Sequence, residues 1–359
     1  MIVRNEEGTL AVVLHDASSF CDELVVIDTG STDRTVEIAR EAGARVETFA
    51  WVDDFAAARN AAFDACTSDW IIWLDADDRV EPETQDALRL LKAGELSPEF
   101  DAVYMTYRYH FTEDGSTPTF TTPRERIIRR GAGLVWQHKV HEIITLPDPV
   151  RALHRLDLAI DHRPLRDVVQ AKVGRNLRIL RQAVSDGDRC PRTLFYLGNE
   201  LRDHRQFLEA LSTYDEYLDK SAPGWERHAA LVSAAKCAGE TGQGDRELAL
   251  AHQAVLEDPR RAEAFMVLGL HHYRREEWDR AIPYFAAATA LPVPRDGFVV
   301  RSDYTYSPWD FLSLCHHRRG EQRKALEALL NAVAGNPERE RLLDNARWFL
   351  AEWDGSPTS

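Results

Sequence analysis

The sequence predicts an α/β domain with a mainly parallel sheet, followed by an all-helical region that is built from repeats. Uncharged apolar runs alternate with amphipathic helical spacing over residues 1–165, which is typical of a sheet covered on both faces. Polar residues follow directly after these runs, where an α/β sheet places its ligands. From about residue 166 the spacing is helical throughout, and similar segments recur 71 positions apart, as at Gly198 and Gly269.

The composition is typical of a globular protein, since 44% of the 359 residues are hydrophobic and 29% are charged. The formal net charge of -15 argues against nucleic acid or an anionic membrane as a partner. Five widely spaced cysteines without a CxxC pair predict a reducing compartment, with neither a disulfide framework nor a zinc site. The sequence shows no signal-peptide pattern and no apolar run near the ~20 residues of a membrane span, so a cytoplasmic protein without a transmembrane segment is expected.

Each element of the α/β part follows from its local pattern. The run Leu24–Ile27 predicts a buried strand that ends at Asp28, and the next helix is expected to stop at Gly43. A short alternating strand follows in ARVETFAW, then a helix in FAAARNAAFDACTS and a fully buried strand in WIIWLDADD. The segments DAVYMTYRYHF and RERIIRR predict later strands with stronger alternation. We assign this domain to residues 1–165.

The remaining chain is predicted to contain a linker helix at 166–189 and four helical hairpins at 190–355. The segments FYLGNELRDHRQFLEALSTYDEYL and MVLGLHHYRREEWDRAIPYFAAAT can be overlaid, at a separation of about two 34-residue periods. A weaker copy lies between them, and a fourth follows residues 292–307, whose Pro, Asp and aromatic content predicts a loop. The units resemble the tetratricopeptide repeat, which implies a concave surface for extended peptides or contacts for a homodimer.

The stretch WIIWLDADDRVEP carries the main clue to function, because an apolar strand runs directly into three carboxylates. Asp75, Asp77 and Asp78 can cap the following helix, form a solvated turn or bind a divalent cation. The Asp-x-Asp pattern is short and also occurs by accident, so the motif alone leaves all three explanations open.

Four motifs in order make a family resemblance specific: MIVRNEE, VVIDTGSTDRT, WVDDFAAARN and WLDADD. Together they resemble the family 2 glycosyltransferases of the GT-A fold, in the bacterial subgroup with C-terminal tetratricopeptide repeats. The resemblance implies that Asp75 contacts the nucleotide-sugar and that Asp77, with Asp75, holds Mn²⁺ or Mg²⁺ between the donor phosphates. Hard oxygen ligands suit these cations, and the metal offsets the charge that develops on the departing diphosphate.

The same resemblance implies roles for residues near the other strand ends. Asp28 would accept hydrogen bonds from the nucleotide base, with a turn-forming role as the alternative. Asp33 is expected to cap a helix, while Asp78 is either a helix cap or part of the site. The remaining nucleotide-sugar positions are Asn5, Glu6 and Arg59, the last beside Asn60.

Two of these positions have structural alternatives of their own. Glu6 could be no more than an acid in the first turn of a helix. Arg59 could bind the diphosphate, or it could form a structural ion pair with Asp75.

The acceptor side is expected in GLVWQHKVHEIITL and DLAIDHRPL. The resemblance implies a base near the acceptor hydroxyl, for which Glu142 is the candidate and His141 the alternative. His162 is a further candidate metal ligand, and His138 is expected to be a surface or packing residue. The chain departs from the family after His162, where Arg163–Leu165 replace the usual Gly and aromatic residue, and it begins inside the expected first strand.

The sequence therefore predicts a metal-dependent, inverting glycosyltransferase. A nucleoside-diphosphate-sugar, expected to be a UDP-sugar, would be the donor, and a peptide, protein or glycan the acceptor. The alternative from another class is a non-catalytic tetratricopeptide-repeat scaffold with a degenerate α/β domain, against which the intact Asp28, Asp75 and Asp77 argue. A nucleotidyltransferase or sugar-nucleotide hydrolase would use the same metal, but the sequence offers no basic cluster for a second phosphorylated substrate.

Overall fold

The computed structural model describes residues 1–94, 96–111, 115–145, 149–165, 174–294, 297, 299–336 and 339–353. The chain divides into two units, Met1–Ala183 and Val184–Ser359. The predicted linker helix at 166–189 falls partly outside the described residues, so its full extent stays a prediction.

The described part of the first unit contains strands that form three sheets. The strands are β1 (Ile2–Val3), β2 (Val25–Asp28), β3 (Arg45–Thr48), β4 (Trp70–Ile72), β5 (Asp78–Arg79), β6 (Ala102–Phe111), β7 (Pro118–Arg129), β8 (Val135–Gln137), β9 (Ile143–Thr145) and β10 (Ala152–His162). One sheet has the order β1-β2-β3, another the order β4-β7-β6-β10-β5, and β8 pairs with β9.

The helices of this unit connect and cover the strands. They are α1 (Leu10–Ser18), α2 (Thr35–Glu41), α3 (Phe55–Ala65), α4 (Pro82–Gly94) and α5 (Arg175–Ser185), whose last two residues belong to the second unit. The α/β fold is confirmed. The pairs β1–β2, β2–β3 and β6–β10 are parallel, whereas β7 pairs antiparallel with β4 and β6.

Strand β4 is shorter than the sequence suggests, because it ends at Ile72 rather than at the acidic residues. The backbone N–H of Trp73 still donates to the carbonyl of Arg126 at 3.2 Å, so the chain stays beside β7 for one more residue. It then turns, and the N–H of Asp78 closes the turn on the carbonyl of Asp75 at 3.0 Å. The carboxylates therefore sit on a turn at the end of the strand.

In its described residues the second unit contains four helical hairpins, as the repeats predict, and a final helix. The helices are α6 (Pro191–Asp203), α7 (Phe207–Lys220), α8 (Trp225–Glu240), α9 (Gly244–Glu257), α10 (Ala262–Arg274), α11 (Trp278–Thr289), α12 (Ser307–Arg318), α13 (Gln322–Gly335) and α14 (Glu340–Trp353). Two of the hairpins cross at glycine, where a methyl group on Gly198 would lie 2.6 Å from the Tyr214 ring and one on Gly269 would lie 2.5 Å from the Phe285 ring.

The predicted loop at 292–307 contains a short 3₁₀ helix, Arg301–Tyr304, in its described part. The Tyr304 hydroxyl donates to Glu263 at 2.5 Å and accepts from the Ala262 N–H at 3.0 Å, which fixes the loop to the start of α10. Within the described ranges of the whole chain, no helix is both long enough and apolar enough to span a bilayer.

Candidate active site

Arg59 joins the acidic turn to the predicted acceptor side. On helix α3, its Nη2 donates to Asp75 Oδ1 at 2.8 Å and its Nε donates to Glu142 Oε1 at 2.6 Å. The side chains of Arg59 and Glu142 are only 12% and 13% exposed, so water screens this pair poorly. The fold thus brings Asp75 and Glu142 to one guanidinium, and it realises the ion-pair alternative for Arg59.

Two tryptophans flank the same guanidinium. The Arg59 Cζ atom lies 5.1 Å from the ring centroid of Trp73 and 4.9 Å from that of Trp136, within cation–π range. Burial alone would lower the pKa of Arg59, but the carboxylates of Asp75 and Glu142 outweigh it and raise that pKa. Burial would likewise raise the pKa of Asp75, but the charges of Arg59 and Arg126 lower it. Both groups are therefore fixed in their charged forms.

Asp78 is a buried structural carboxylate. Its side chain is 0% exposed and accepts hydrogen bonds from Arg126 Nη2 at 2.7 Å, from the Tyr107 hydroxyl at 2.7 Å and from the Asp75 N–H at 2.9 Å. Of the two roles considered for Asp78, the helix cap is not realised, because the following helix begins only at Pro82. The buried polar network instead holds the turn on which the other two carboxylates sit.

Asp77 and His162 form a candidate cation site beside this network. His162 Nδ1 lies 3.3 Å from Asp77 Oδ1 and 3.5 Å from Asp78 Oδ1, and ligand atoms of the three residues all fall within 4.8 Å of one another. The Asp78 carboxylate already accepts hydrogen bonds from its neighbours, so the ligands available to a cation are the Asp77 carboxylate and the His162 imidazole. This donor set fits Mn²⁺, or Mg²⁺ with few protein ligands, when substrate oxygens complete the shell.

His162 also contacts the buried network directly. Its Nδ1 is 3.1 Å from the Tyr107 hydroxyl. Burial alone would lower the pKa of His162, but its hydrogen bonds with Asp77 and Asp78 outweigh burial and raise the pKa to about 10. An imidazole with this pKa is protonated at neutral pH, so His162 would have to release that proton in order to bind a metal ion.

The predicted nucleotide-binding residues lie on the loops after β1 and β2. Asp28 is buried and accepts from the N–H groups of Gly30 at 3.2 Å and Ser31 at 3.1 Å, which is the turn-forming role considered above. Asn5 accepts from the Thr32 N–H at 2.8 Å and has a positive φ of 55°. The hydrogen bond of Asn5 fastens the two loops to each other, next to the paired strand ends Val3 and Asp28.

Glu6 and Asp33 act at the neighbouring helices. Glu6 is buried and accepts from the Thr9 hydroxyl at 3.2 Å, while its carbonyl accepts from the N–H of Leu10, the first residue of α1. Asp33 accepts from the N–H of Thr35, the first residue of α2, at 3.0 Å. The N-cap of that helix is Arg34, however, so Asp33 does not occupy the capping position that was expected. Its side chain holds backbone in place, whereas the Glu6 side chain holds the Thr9 hydroxyl.

The hairpin β8–β9 presents Glu142 and is attached firmly to α3. Asn60 exchanges two hydrogen bonds with the backbone of Trp136, at 2.9 and 3.0 Å. His138 and His141 in the connecting loop have positive φ angles of 73° and 54°, which are costly for residues with a Cβ atom. Such strain is concentrated at functional sites in proteins. The backbone strain is therefore an independent indication that this loop belongs to the site.

Several residues of the site were not found from the sequence. Trp73, Trp136 and Tyr107 surround the arginines, and Arg126 lies with its Cζ 3.8 Å from the Trp73 ring and 3.9 Å from the Tyr107 ring. The alternation in RERIIRR predicts Arg124 and Arg126 on one face of a strand, although the pairing of β7 with β6 is irregular at Arg126. The register that aligns that face with the acidic turn is not encoded in any local pattern.

Comparison with known proteins agrees with these motifs. The family model for glycosyl transferase family 2 matches residues 1–145. A TPR repeat-containing protein of Synechococcus elongatus is 30% identical over 341 residues, which is 94% of this chain and 75% of that protein. The chain belongs to the family 2 glycosyltransferases that carry tetratricopeptide repeats.

Other relatives of this glycosyltransferase align over shorter stretches. The SPbeta prophage-derived glycosyltransferase SunS of Bacillus subtilis is 26% identical over 240 residues, which is 63% of this chain and 53% of SunS. Among solved structures, YrrB, described as a TPR protein with an unusual peptide-binding site, aligns with a TM-score of 0.39 at 16% identity, over 50% of this chain and 86% of YrrB.

Proposed function

We propose that this glycosyltransferase is metal-dependent and inverting, and that it uses a nucleoside-diphosphate-sugar, with UDP as the expected nucleotide. The observation that carries the proposal is the bridge in which Arg59 binds both Asp75 and Glu142. An in-line displacement needs the leaving diphosphate and the base on opposite sides of one sugar ring. Asp75 on the donor side and Glu142 on the acceptor side bind the same guanidinium, so they lie as close together as this reaction requires.

Asp77 and His162 are the residues that would hold the divalent cation, and Asp75 would contact the nucleotide-sugar. When bound, the cation supplies positive charge to the diphosphate as the sugar departs. Asp78, Arg126 and Tyr107 keep the turn in place so that Asp77 stays directed toward His162.

Glu142 is the proposed base, and His141 is its alternative. The acceptor oxygen or other nucleophile attacks the anomeric carbon, its proton passes to the carboxylate, and the bond from that carbon to the phosphate oxygen breaks with its electron pair on the oxygen. A single displacement inverts the configuration of the sugar. The hydrogen bond from Arg59 Nε holds one Glu142 oxygen and so orients the other.

The repeat unit is the proposed acceptor-binding part. Stacked helical hairpins form an extended concave surface that suits a peptide or an unfolded protein segment, and a glycan is the alternative acceptor. The same surfaces would also be able to form the interface of a homodimer.

This function can be tested without knowledge of the acceptor, because water can slowly take the place of the acceptor as the nucleophile. The measurement is release of nucleoside diphosphate from a panel of UDP-, GDP-, dTDP- and CDP-sugars. We expect one donor to be cleaved, only with Mn²⁺ or Mg²⁺, and at least about 100-fold more slowly by Glu142→Gln. Glu99→Gln on the exposed surface is the matched control and should behave as wild type. Metal-independent cleavage, or full activity of Glu142→Gln, would contradict the proposed mechanism.

A further inference from the structure

We propose that Arg124 binds the terminal phosphate of the donor diphosphate, and that Arg59, the arginine expected from the motifs, does not. This inference rests on the proposed function and adds one specific residue to it. It assigns the diphosphate to a side chain of β7, the strand that pairs antiparallel with β4.

Arg124 lies beside Trp73, two residues before the first carboxylate of the acidic turn. The Trp73 N–H donates to the Arg126 carbonyl, which keeps Trp73 next to this part of β7. The pairing of β7 with β6 is irregular at Arg126, so strand alternation does not decide which way the two arginines face. The contacts do decide it, because the Cζ atoms of both arginines lie over the Trp73 ring.

Three guanidinium groups surround the Trp73 ring, and two of them are already occupied by carboxylates. The Cζ atoms of Arg59, Arg124 and Arg126 lie 5.1, 5.4 and 3.8 Å from its centroid. Arg59 binds two carboxylates and Arg126 binds the buried Asp78, so each would have to break an ion pair to accept a ligand. Breaking a poorly solvated pair is costly.

Arg124 differs from both in its partners and its exposure. The nearest carboxylate oxygen is Oε1 of its neighbour Glu125 at 3.7 Å, and Arg124 donates no hydrogen bond within the part of the chain that the structure describes. Its side chain is 26% exposed, whereas that of Arg126 is 0% exposed. Arg124 therefore has a full set of donors that a ligand can reach.

Arg124 is assigned to the terminal phosphate, and not to another part of the donor, because it lies near the Arg59–Glu142 pair. The bond that breaks joins the sugar to that phosphate, and Glu142 must lie within one sugar ring of it. The Trp73 ring contacts both Arg59 and Arg124, so Arg124 is close to this bond rather than to the base or the ribose. The planar guanidinium fork matches two phosphate oxygens and would stabilise the charge of the leaving group.

The test compares a nucleoside diphosphate with its monophosphate, which lacks only the terminal phosphate. Binding of the nucleotide that wild type prefers among UDP, GDP, dTDP and CDP is measured by calorimetry with Mn²⁺, together with the corresponding monophosphate. We expect Arg124→Gln to weaken diphosphate binding by about 10- to 100-fold and monophosphate binding by less than about threefold. Arg124→Lys should restore part of the loss, because it keeps the charge without the fork.

Arg89→Gln provides the control for net charge, since Arg89 lies on α4 and contacts Asp86 and the Ser19 carbonyl. Equal losses for the two nucleotides, or unchanged diphosphate binding by a folded Arg124→Gln, would overturn the inference while the proposed function stands. A wild-type protein that binds no nucleoside diphosphate would contradict the proposed function itself.

Discussion

Arg59 Nε lies 2.6 Å from Glu142 Oε1, although the two residues are 83 positions apart in the chain. The same guanidinium reaches Asp75 at 2.8 Å through Nη2. One side chain of α3 thus connects the donor-side turn with the hairpin that presents the candidate base. The distance between the two carboxylates depends on this arginine.

Removal of Arg59 should destabilise the first unit. Arg59→Gln leaves Asp75 and Glu142 facing each other without a cation, and we expect a loss of about 2–3 kcal/mol in the free energy of unfolding. The loss is moderated because the Asp75 side chain is 27% exposed. Urea unfolding followed by tryptophan fluorescence measures it, with Arg34→Gln as a control, since the exposed pair of Arg34 with Glu37 should contribute little to stability. Equal stability of both variants would contradict the bridging role.

Asp77 and Asp78 should separate into a ligand and a structural residue. Asp78→Asn removes the charge that Arg126 needs in a fully buried site, and should cost about 3–5 kcal/mol of stability. Asp77→Asn should unfold as wild type does, within about 1 kcal/mol, because its carboxylate contacts mainly His162. Denaturation curves of the two variants decide this. A similar loss of stability in both variants would contradict the separate roles of Asp77 and Asp78.

Asp303 should contribute stability to the repeat unit that is lost as pH rises between about 4 and 6. Burial, together with the nearby Glu263 carboxylate, raises the pKa of Asp303 to about 6 despite the charge of Lys236. A folded-state pKa above the unfolded value means that the native state binds the proton more tightly, so this stabilisation is present at low pH and is lost through pH 6. The loss should amount to about 3 kcal/mol at most and be absent in Asp303→Asn. Thermal unfolding at pH 4 to 7 measures it, and identical pH profiles would contradict the assignment.

The glycine at the third hairpin crossing should not tolerate a side chain. Gly269→Ala places a methyl group 2.5 Å from the buried Phe285 ring, and we expect a loss of about 1–3 kcal/mol from overpacking. Gly94→Ala in α4 is the control, because a methyl group there meets nothing within 4 Å and alanine favours a helix. Thermal melting of both variants is the measurement. A Gly269→Ala protein as stable as wild type would show that the crossing is looser than the distances indicate.

The sequence predicted the elements of this protein better than their pairing. Periodicity located α2, α3 and the repeat hairpins, because helix and strand patterns depend on nearby residues. The glycines at 198 and 269 marked real helix crossings. Sheet partners depend on residues far apart in the chain, so neither the three separate sheets nor the early end of β4 at Ile72 could be read from local spacing.

The candidate site shows the same division. Motif order identified Asp75, Asp77, Glu142 and His162, which the fold does bring into two adjoining clusters. The sequence could not reveal that Asp78 is buried against Arg126, since this contact spans 48 positions. The sequence also could not show which arginine is already paired with carboxylates, because the partners of Arg59 and Arg124 follow from strand register and helix packing.

Metal-dependent binding of the donor nucleotide at Asp77 can be measured by calorimetry with UDP, GDP, dTDP and CDP, with and without Mn²⁺. The proteins compared are wild type, Asp77→Asn and Asp64→Asn, which changes an exposed carboxylate of α3 and serves as the control. We expect wild type and Asp64→Asn to bind one nucleotide tightly only with Mn²⁺, and Asp77→Asn to lose this binding while remaining folded. Binding that ignores Mn²⁺ and Asp77, or no binding by the folded wild type, would contradict this expectation and leave the repeats as the functional part.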